Sequence, residues 1–276
     1  MSHYSVLVLT DDDTTVEELL APFNENIEVE PYVLHTKEEL IAKEKQDIKD
    51  YKNGRYAEFL KDPEGYKEKY KDNPGHLNYI EHEFRKKLYW TNARIYKEAI
   101  RFYEPENITE DGSVISTYNP NSKWDWYVEG GRWSNELKLK EGSEDGALFA
   151  NSARASEVDF SRDEEEYEMA LRNWDLVVEG VTPENEDEEY IVRFGVKENY
   201  LNVYKTRENF ANISSSFRTY AVLTPDGEWH EPGQMGWWGI SHASEEEKES
   251  WWVEYPKFIR MAIENDWTMT VIDCHI

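Results

Sequence analysis

The chain reads as an α+β fold: a mixed or antiparallel sheet with a helical insertion and a C-terminal strand pairing near the N-terminal strand. Three observations predict it. Residues 4–10 and 268–276 are short apolar runs of the kind that form buried strands. Residues 36–104 are Lys/Glu-rich and keep apolar positions near helical spacing. Pro225-Asp226-Gly227 lies between two β-like runs and signals a hairpin. The ends of a domain are often close in space, so the first and last strands are expected to be neighbours. The expected organisation is one domain over residues 1–276, with 36–104 inserted in it.

The elements follow in order. The first strand, Tyr4-Ser5-Val6-Leu7-Val8-Leu9-Thr10, is closed by Asp11-Asp12-Asp13. Thr14 or Thr15 then caps a short helical turn that stops before Pro22. Ile27-Glu28-Val29-Glu30 alternates, predicting a second strand with Ile27 and Val29 turned inward. Thr36-Lys37-Glu38-Glu39 is a capping box that opens the helical stretch. Pro63 and Pro74-Gly75 punctuate that stretch, and its period resumes from Ile80 to Phe102. Residues 135–140 alternate like a strand, and 163–171 read as a helix with acids at its N-terminus. Residues 176–178 read as a short buried strand and 184–189 as an exposed acidic loop. Ser244-Glu245-Glu246-Glu247 starts a helix toward Met261 and Ile263 that Pro256 is expected to split or kink.

Composition limits the function classes. Aromatics make up 14% of 276 residues, with 11 Trp and 18 Tyr, so rings supply core volume that aliphatic side chains usually provide. The net charge of −27, from 58 acids against 31 bases, repels free nucleic acid and anionic membranes. It reads either as a solubility charge on a cytosolic protein or as an acidic surface that occupies a basic, nucleic-acid-binding partner. A single cysteine, Cys274, excludes an intramolecular disulfide and a multi-cysteine zinc site. No signal-peptide pattern and no apolar window of ~20 residues is present, so the cytoplasm is the expected location.

Four constellations could carry chemistry. The first is Trp124-Asp125-Trp126-Tyr127-Val128-Glu129-Gly130-Gly131-Arg132-Trp133. If extended, it places Trp124, Trp126 and Val128 on one side and Asp125 and Tyr127 on the other. The Gly pair permits a sharp turn or a close backbone approach that delivers Arg132 and Trp133. Indoles with a guanidinium suit a nucleotide or another flat anion. The second is Gly233-Gln234-Met235-Gly236-Trp237-Trp238-Gly239, a candidate wall of the same pocket. Together they nominate Trp124, Trp126, Arg132, Trp133, Trp237 and Trp238 as ligand-binding residues, against the plainer reading that these rings fill a core. The third is the last strand, where Asp273 and His275 share a face with Met269 and Val271. His3 joins them if the first and last strands are adjacent, giving a candidate base-and-orienter set. The fourth is the acid clusters, which match no EF-hand loop and read as solvated faces. No cofactor is expected, since GxGxxG and Walker patterns are absent, and no metal, since HxH and HExxH spacings are absent.

Four segments resemble a family of phage and prophage proteins. They are Ser2-His3-Tyr4-Ser5-Val6-Leu7-Val8, the run from Asn119 to Trp133, Met235-Gly236-Trp237-Trp238-Gly239, and Val271-Ile272-Asp273-Cys274-His275-Ile276. The resemblance implies a phage setting and no particular catalytic residues. By analogy it favours an accessory or counter-defence role in the host cytoplasm. The leading expectation is therefore a non-enzymatic acidic protein that binds and neutralises a host factor. The alternatives are a protein that sequesters a nucleotide-like ligand and a hydrolase using Asp273, His275 and His3.

Overall fold

The first strand has the apolar side chains to be buried on both faces, and it is. A computed structural model of the chain describes residues 2–142, 146–236 and 241–276. Its strands are β1 (His3–Thr10), β2 (Glu28–His35), β3 (Val114–Tyr118), β4 (Trp126–Glu129), β5 (Leu137–Lys138), β6 (Phe149–Ala150), β7 (Ser152–Arg154), β8 (Ala221–Leu223), β9 (Trp229–His230) and β10 (Thr268–His275). The contacts divide the chain into two compact units. One comprises Met1–Ile27 with Asn119–Ile276, and the other is Glu28–Tyr118.

In the first unit the main sheet has the order β4-β10-β1-β8-β9, with β7 also pairing with β10. β1 and β10 run antiparallel over their full length, from His3 opposite His275 to Thr10 opposite Thr268. β8 lies parallel to β1, so the sheet is mixed, and the C-terminal strand sits beside the N-terminal one as the apolar runs predict. One face carries Leu7, Leu9, Val222, Met269 and Val271 against Trp251, Tyr255 and Ala262 of the helix Glu245–Asn265. The other carries Tyr4, Val6, Val8, Ile272 and Cys274 against Leu19, Leu20 and Trp124. Burial pushes the Cys274 thiol well above its usual range, which leaves it a packing group.

Several helix starts are where the sequence places them. Thr15 forms a capping box with Glu18, and Ser244 forms one with Glu247. Asp163 caps the helix Glu164–Trp174 through the amides of Glu165 and Glu166. The hairpin around Gly227 pairs β8 with β9.

Four expectations give way. Pro256 does not end its helix, which runs on to Asn265. Trp251 and Tyr255 before it and Ala262 after it enter one core, and that burial outweighs the ~3 kcal/mol a helical proline costs. Leu176 and Val178 are buried in a π-helical turn, Asp175–Glu179, that prolongs a helix, so they form no strand. The acidic loop is the first turn of the helix Glu186–Phe194, where four acids meet the positive end of the macrodipole. Ile27 is 40% exposed because β2 begins only after it.

The second unit joins β2 and β3 antiparallel, with register shifts, to a set of helices. The helix Lys37–Tyr51 starts on the Thr36–Glu39 capping box. Leu40, Tyr66, Ile80, Phe84 and Ile95 are buried within the unit. Tyr51, Tyr56 and Tyr79 gather around Phe84 with centroid distances from 4.4 to 6.2 Å. Among the described residues of the whole chain, no helix is long and apolar enough to cross a membrane.

Two outcomes follow from this core. Leu7 is fully buried, so Leu7→Ala should cost about 2 to 5 kcal/mol in urea denaturation. Burial pushes the Tyr255 phenol from 10.0 up to about 12, against hydrogen bonds from Thr219 that lower it. A folded-state value above the unfolded one means that stability is intact below pH 10 and falls as pH rises toward 12. Tyr255→Phe should reduce that alkaline loss in denaturation curves recorded across the range, leaving the share owed to other phenols that burial raises, such as Tyr51 and Tyr220.

Candidate functional site

The full-length register of β1 against β10 sets His3 directly opposite His275. On its other edge β10 pairs with β4, which sets His275 opposite Trp126 and Asp273 opposite Val128. Period-two geometry then turns His3, Asp273 and His275 to one face, beyond Leu7 and Val271. The two imidazoles lie 5.1 Å apart, edge to face. Trp126 stacks on His275 at 5.2 Å with 16° between planes, and meets His3 edge-on, also at 5.2 Å. The indole is 43% exposed and forms the outer wall of the cluster.

Each imidazole is held by its own carboxylate. His3 Nδ1 lies 2.7 Å from Asp273 Oδ1, and His275 Nδ1 lies 2.6 Å from Asp125 Oδ1. With ionised carboxylates both Nδ1 atoms carry the proton and donate it, so the tautomers are fixed and each Nε2 is left for other chemistry. His275 Nε2 is buried and has no hydrogen-bond partner. Asp273 is only 2% exposed and is supported on its second oxygen, which accepts the Arg132 backbone N–H at 3.0 Å. Asp125 also accepts the Trp126 amide at 2.8 Å, and its own amide donates to the His275 carbonyl at 3.0 Å.

The Gly pair makes the approach to Asp273 possible. Gly130 and Gly131 have φ of +69° and +56°. A Cβ on Gly131 would fall 2.5 Å from Asp273 Oδ2, so only glycine lets the backbone present the Arg132 amide there. The Gly130 amide donates to the Val271 carbonyl at 2.8 Å, which ties the turn to β10.

The six residues nominated for ligand binding are distributed differently. Trp124 and Trp126 do not share a face. The chain bends at Asp125, and Trp124 enters the opposite core with Nε1 donating to the Leu20 carbonyl at 3.1 Å. Tyr127 follows it to that side, with the two rings 4.9 Å apart. Arg132 is exposed and makes no ion pair among the described residues. Trp133 is partly buried against the helix-covered core. Trp237 and Trp238, with Gly239, lie outside the described residues. Met235 packs into the cluster that holds Trp124, and Lys123 pairs with Glu231 at 2.7 Å.

His3, Asp273 and His275, the candidate base-and-orienter set, are thus brought together. Asp125 was missed, because strict alternation sends it away from Trp126. Its position beside Trp126 was a usable signal only once the bend was known. Among the described residues, no group of three or more His, Cys, Asp or Glu is arranged to hold a metal ion.

Gly131→Ala should therefore do more than strain a left-handed residue, which alone costs roughly 1–2 kcal/mol. It should displace Asp273, so that NMR titration shows the His3 ring perturbed more than the His275 ring. Compared with protein-family models, curated proteins and solved structures, the chain matches none of them.

Proposed function

We propose that the chain is a hydrolase that uses His3 and His275 as a general acid–base pair. One observation carries this reading: two imidazoles 5.1 Å apart, each with Nδ1 fixed by a separate carboxylate. In the working state one ring is neutral and the other cationic, and the half-exposed Trp126 indole turns aside to admit substrate to His275 Nε2, which is shielded from solvent in the resting structure. The neutral Nε2 takes a proton from water as the water oxygen bonds to the electrophilic phosphorus or carbon. The cationic Nε2 gives its proton to the leaving oxygen as its bond breaks. Asp273 and Asp125 hold the tautomers and offset the charge that moves between the rings. Exposed Trp126 and Arg132 favour a flat, anionic substrate, so nucleotide-like phosphoesters are the first class to test.

Positioned proton transfer contributes ~10²–10⁴-fold to rate. Purified protein should turn over a member of a panel of phosphomonoesters, phosphodiesters and carboxylic esters, with a bell-shaped pH profile. His3→Ala or His275→Ala should lower turnover by about 10²-fold or more while the melting curve stays cooperative. A silent panel, or full activity in both variants, rules the reading out.

A second reading rests on a different surface. Tyr190 and Phe194 are 65% and 60% exposed on the helix Glu186–Phe194, beside four acids in its first turn. With the net charge of −27, this favours a phage accessory protein that docks a basic host factor in the cytoplasm. Tyr190→Ser/Phe194→Ser should abolish recovery of a defined basic protein at low salt. Equal recovery by the variant excludes this surface.

A further inference from the structure

A cavity of about 490 Å³ lies among residues 218–220, the π-helical turn Tyr200–Tyr204 and the start of the helix Glu245–Asn265. Its lining includes none of His3, Asp125, Asp273 or His275. It does include Arg218, whose guanidinium lies over the Trp252 ring with Cζ 4.3 Å from the centroid. Arg218 also borders two further cavities of about 600 and 310 Å³.

Arg218 is partly buried, and two of its three guanidinium nitrogens lack the partner such a group requires. Its Nε and Nη1 are both shielded from solvent, and neither has a hydrogen-bond acceptor. Trp252 Nε1, on the same cavity, is also buried without an acceptor. Burial pulls the Arg218 guanidinium below its usual range, with only the phenols of Tyr255 and Tyr204 opposing. Among the described residues the one acid lining the cavity is Glu245, and Lys248 already engages it at 3.3 Å. The lining of this cavity therefore sums to about one positive charge, while the acids that also border Arg218 (Glu136, Asp159, Asp163 and Glu166) line the adjoining cavity of about 600 Å³. Buried donors and charges that lack partners are costly, and a ligand that supplies the acceptors recovers that cost.

We propose that this cavity binds a small organic monoanion, an apolar or aromatic carboxylate. Its oxygens accept from Arg218 and Trp252 Nε1, and its body packs against Val203, Tyr204 and Trp251. The volume falls within the range of small-molecule sites, and the lining combines rings with a few convergent donors. One net positive charge suits a carboxylate better than a dianionic phosphate. Trp252 covers the guanidinium, so the ligand reaches these donors as that ring turns, and binding changes tryptophan fluorescence.

The test titrates the full chain with benzoate and cyclohexanecarboxylate, with benzamide and inorganic phosphate as controls, by thermal shift, fluorescence and calorimetry. A carboxylate should raise Tm saturably by several degrees, while benzamide and phosphate leave it unchanged. Arg218→Met should lose the ligand-induced shift yet melt no lower than wild type without ligand, since it removes an unpaired buried charge. Should Arg218→Met fail to fold, Arg218→Lys serves: it keeps the charge, changes the donor geometry and should weaken binding at least tenfold. His3→Ala should retain the full response. No saturable response to either carboxylate, preferential binding of phosphate, or unchanged affinity in the Arg218 variants overturns the proposal.

Discussion

The pairing of β1 with β10 is the constraint on which the rest of the first unit depends. Eight residues from one end of the chain lie against eight from the other, in unbroken register. Both strands are buried on both faces, so a one-residue slip would exchange every core side chain with its opposite face. Leu7 and Val271 would leave the surface under the long helix, and Val6 and Ile272 would leave the cluster around Trp124. Hydrophobic burial on two sides fixes the register far more firmly than the ladder hydrogen bonds alone.

That same register positions the polar cluster. His3 and His275 meet because they are the outermost matched pair, where the apolar ladder ends and polar side chains can be tolerated. The Asp273 carboxyl can remain buried there because two nitrogens converge on it, His3 Nδ1 on one oxygen and the backbone N–H of Arg132 on the other. Arg218 presents the reverse situation, a partly buried charge with two shielded donor nitrogens that find no acceptor. The two places therefore differ in kind. In one, carboxylates engage both Nδ1 atoms and leave a single buried nitrogen, His275 Nε2, without a partner; in the other, the donors themselves wait for something from outside.

Much of the fold was legible because it rests on strong local signals. The apolar runs at the two ends, the capping boxes at Thr15, Thr36 and Ser244, and the Gly227 hairpin each reflect a short-range rule. The misreadings arose where tertiary packing overrode local preference, as at Pro256 and at Leu176 to Val178. At the site, period-two reasoning correctly grouped Asp273 with His275 and supplied His3 through strand adjacency. The same reasoning failed at Asp125, where the chain bends before β4 and its carboxylate turns to cap the Trp126 amide. Arg218 and Trp252 carried no signal at all. They lie 34 positions apart and meet only because a loop and a helix pack together.

The ladder also bears on how the polypeptide matures on the ribosome. Val6 pairs with Ala221 on one side and Ile272 on the other, so the first strand emerges roughly two hundred residues ahead of either neighbour. For most of translation this greasy, β-prone eight-residue segment has no legitimate mate, and it is then most open to chaperones or to illegitimate pairing with other nascent chains. The β1–β10 ladder and the two-imidazole cluster both require β10, so each can close only after the greater part of the polypeptide has been made.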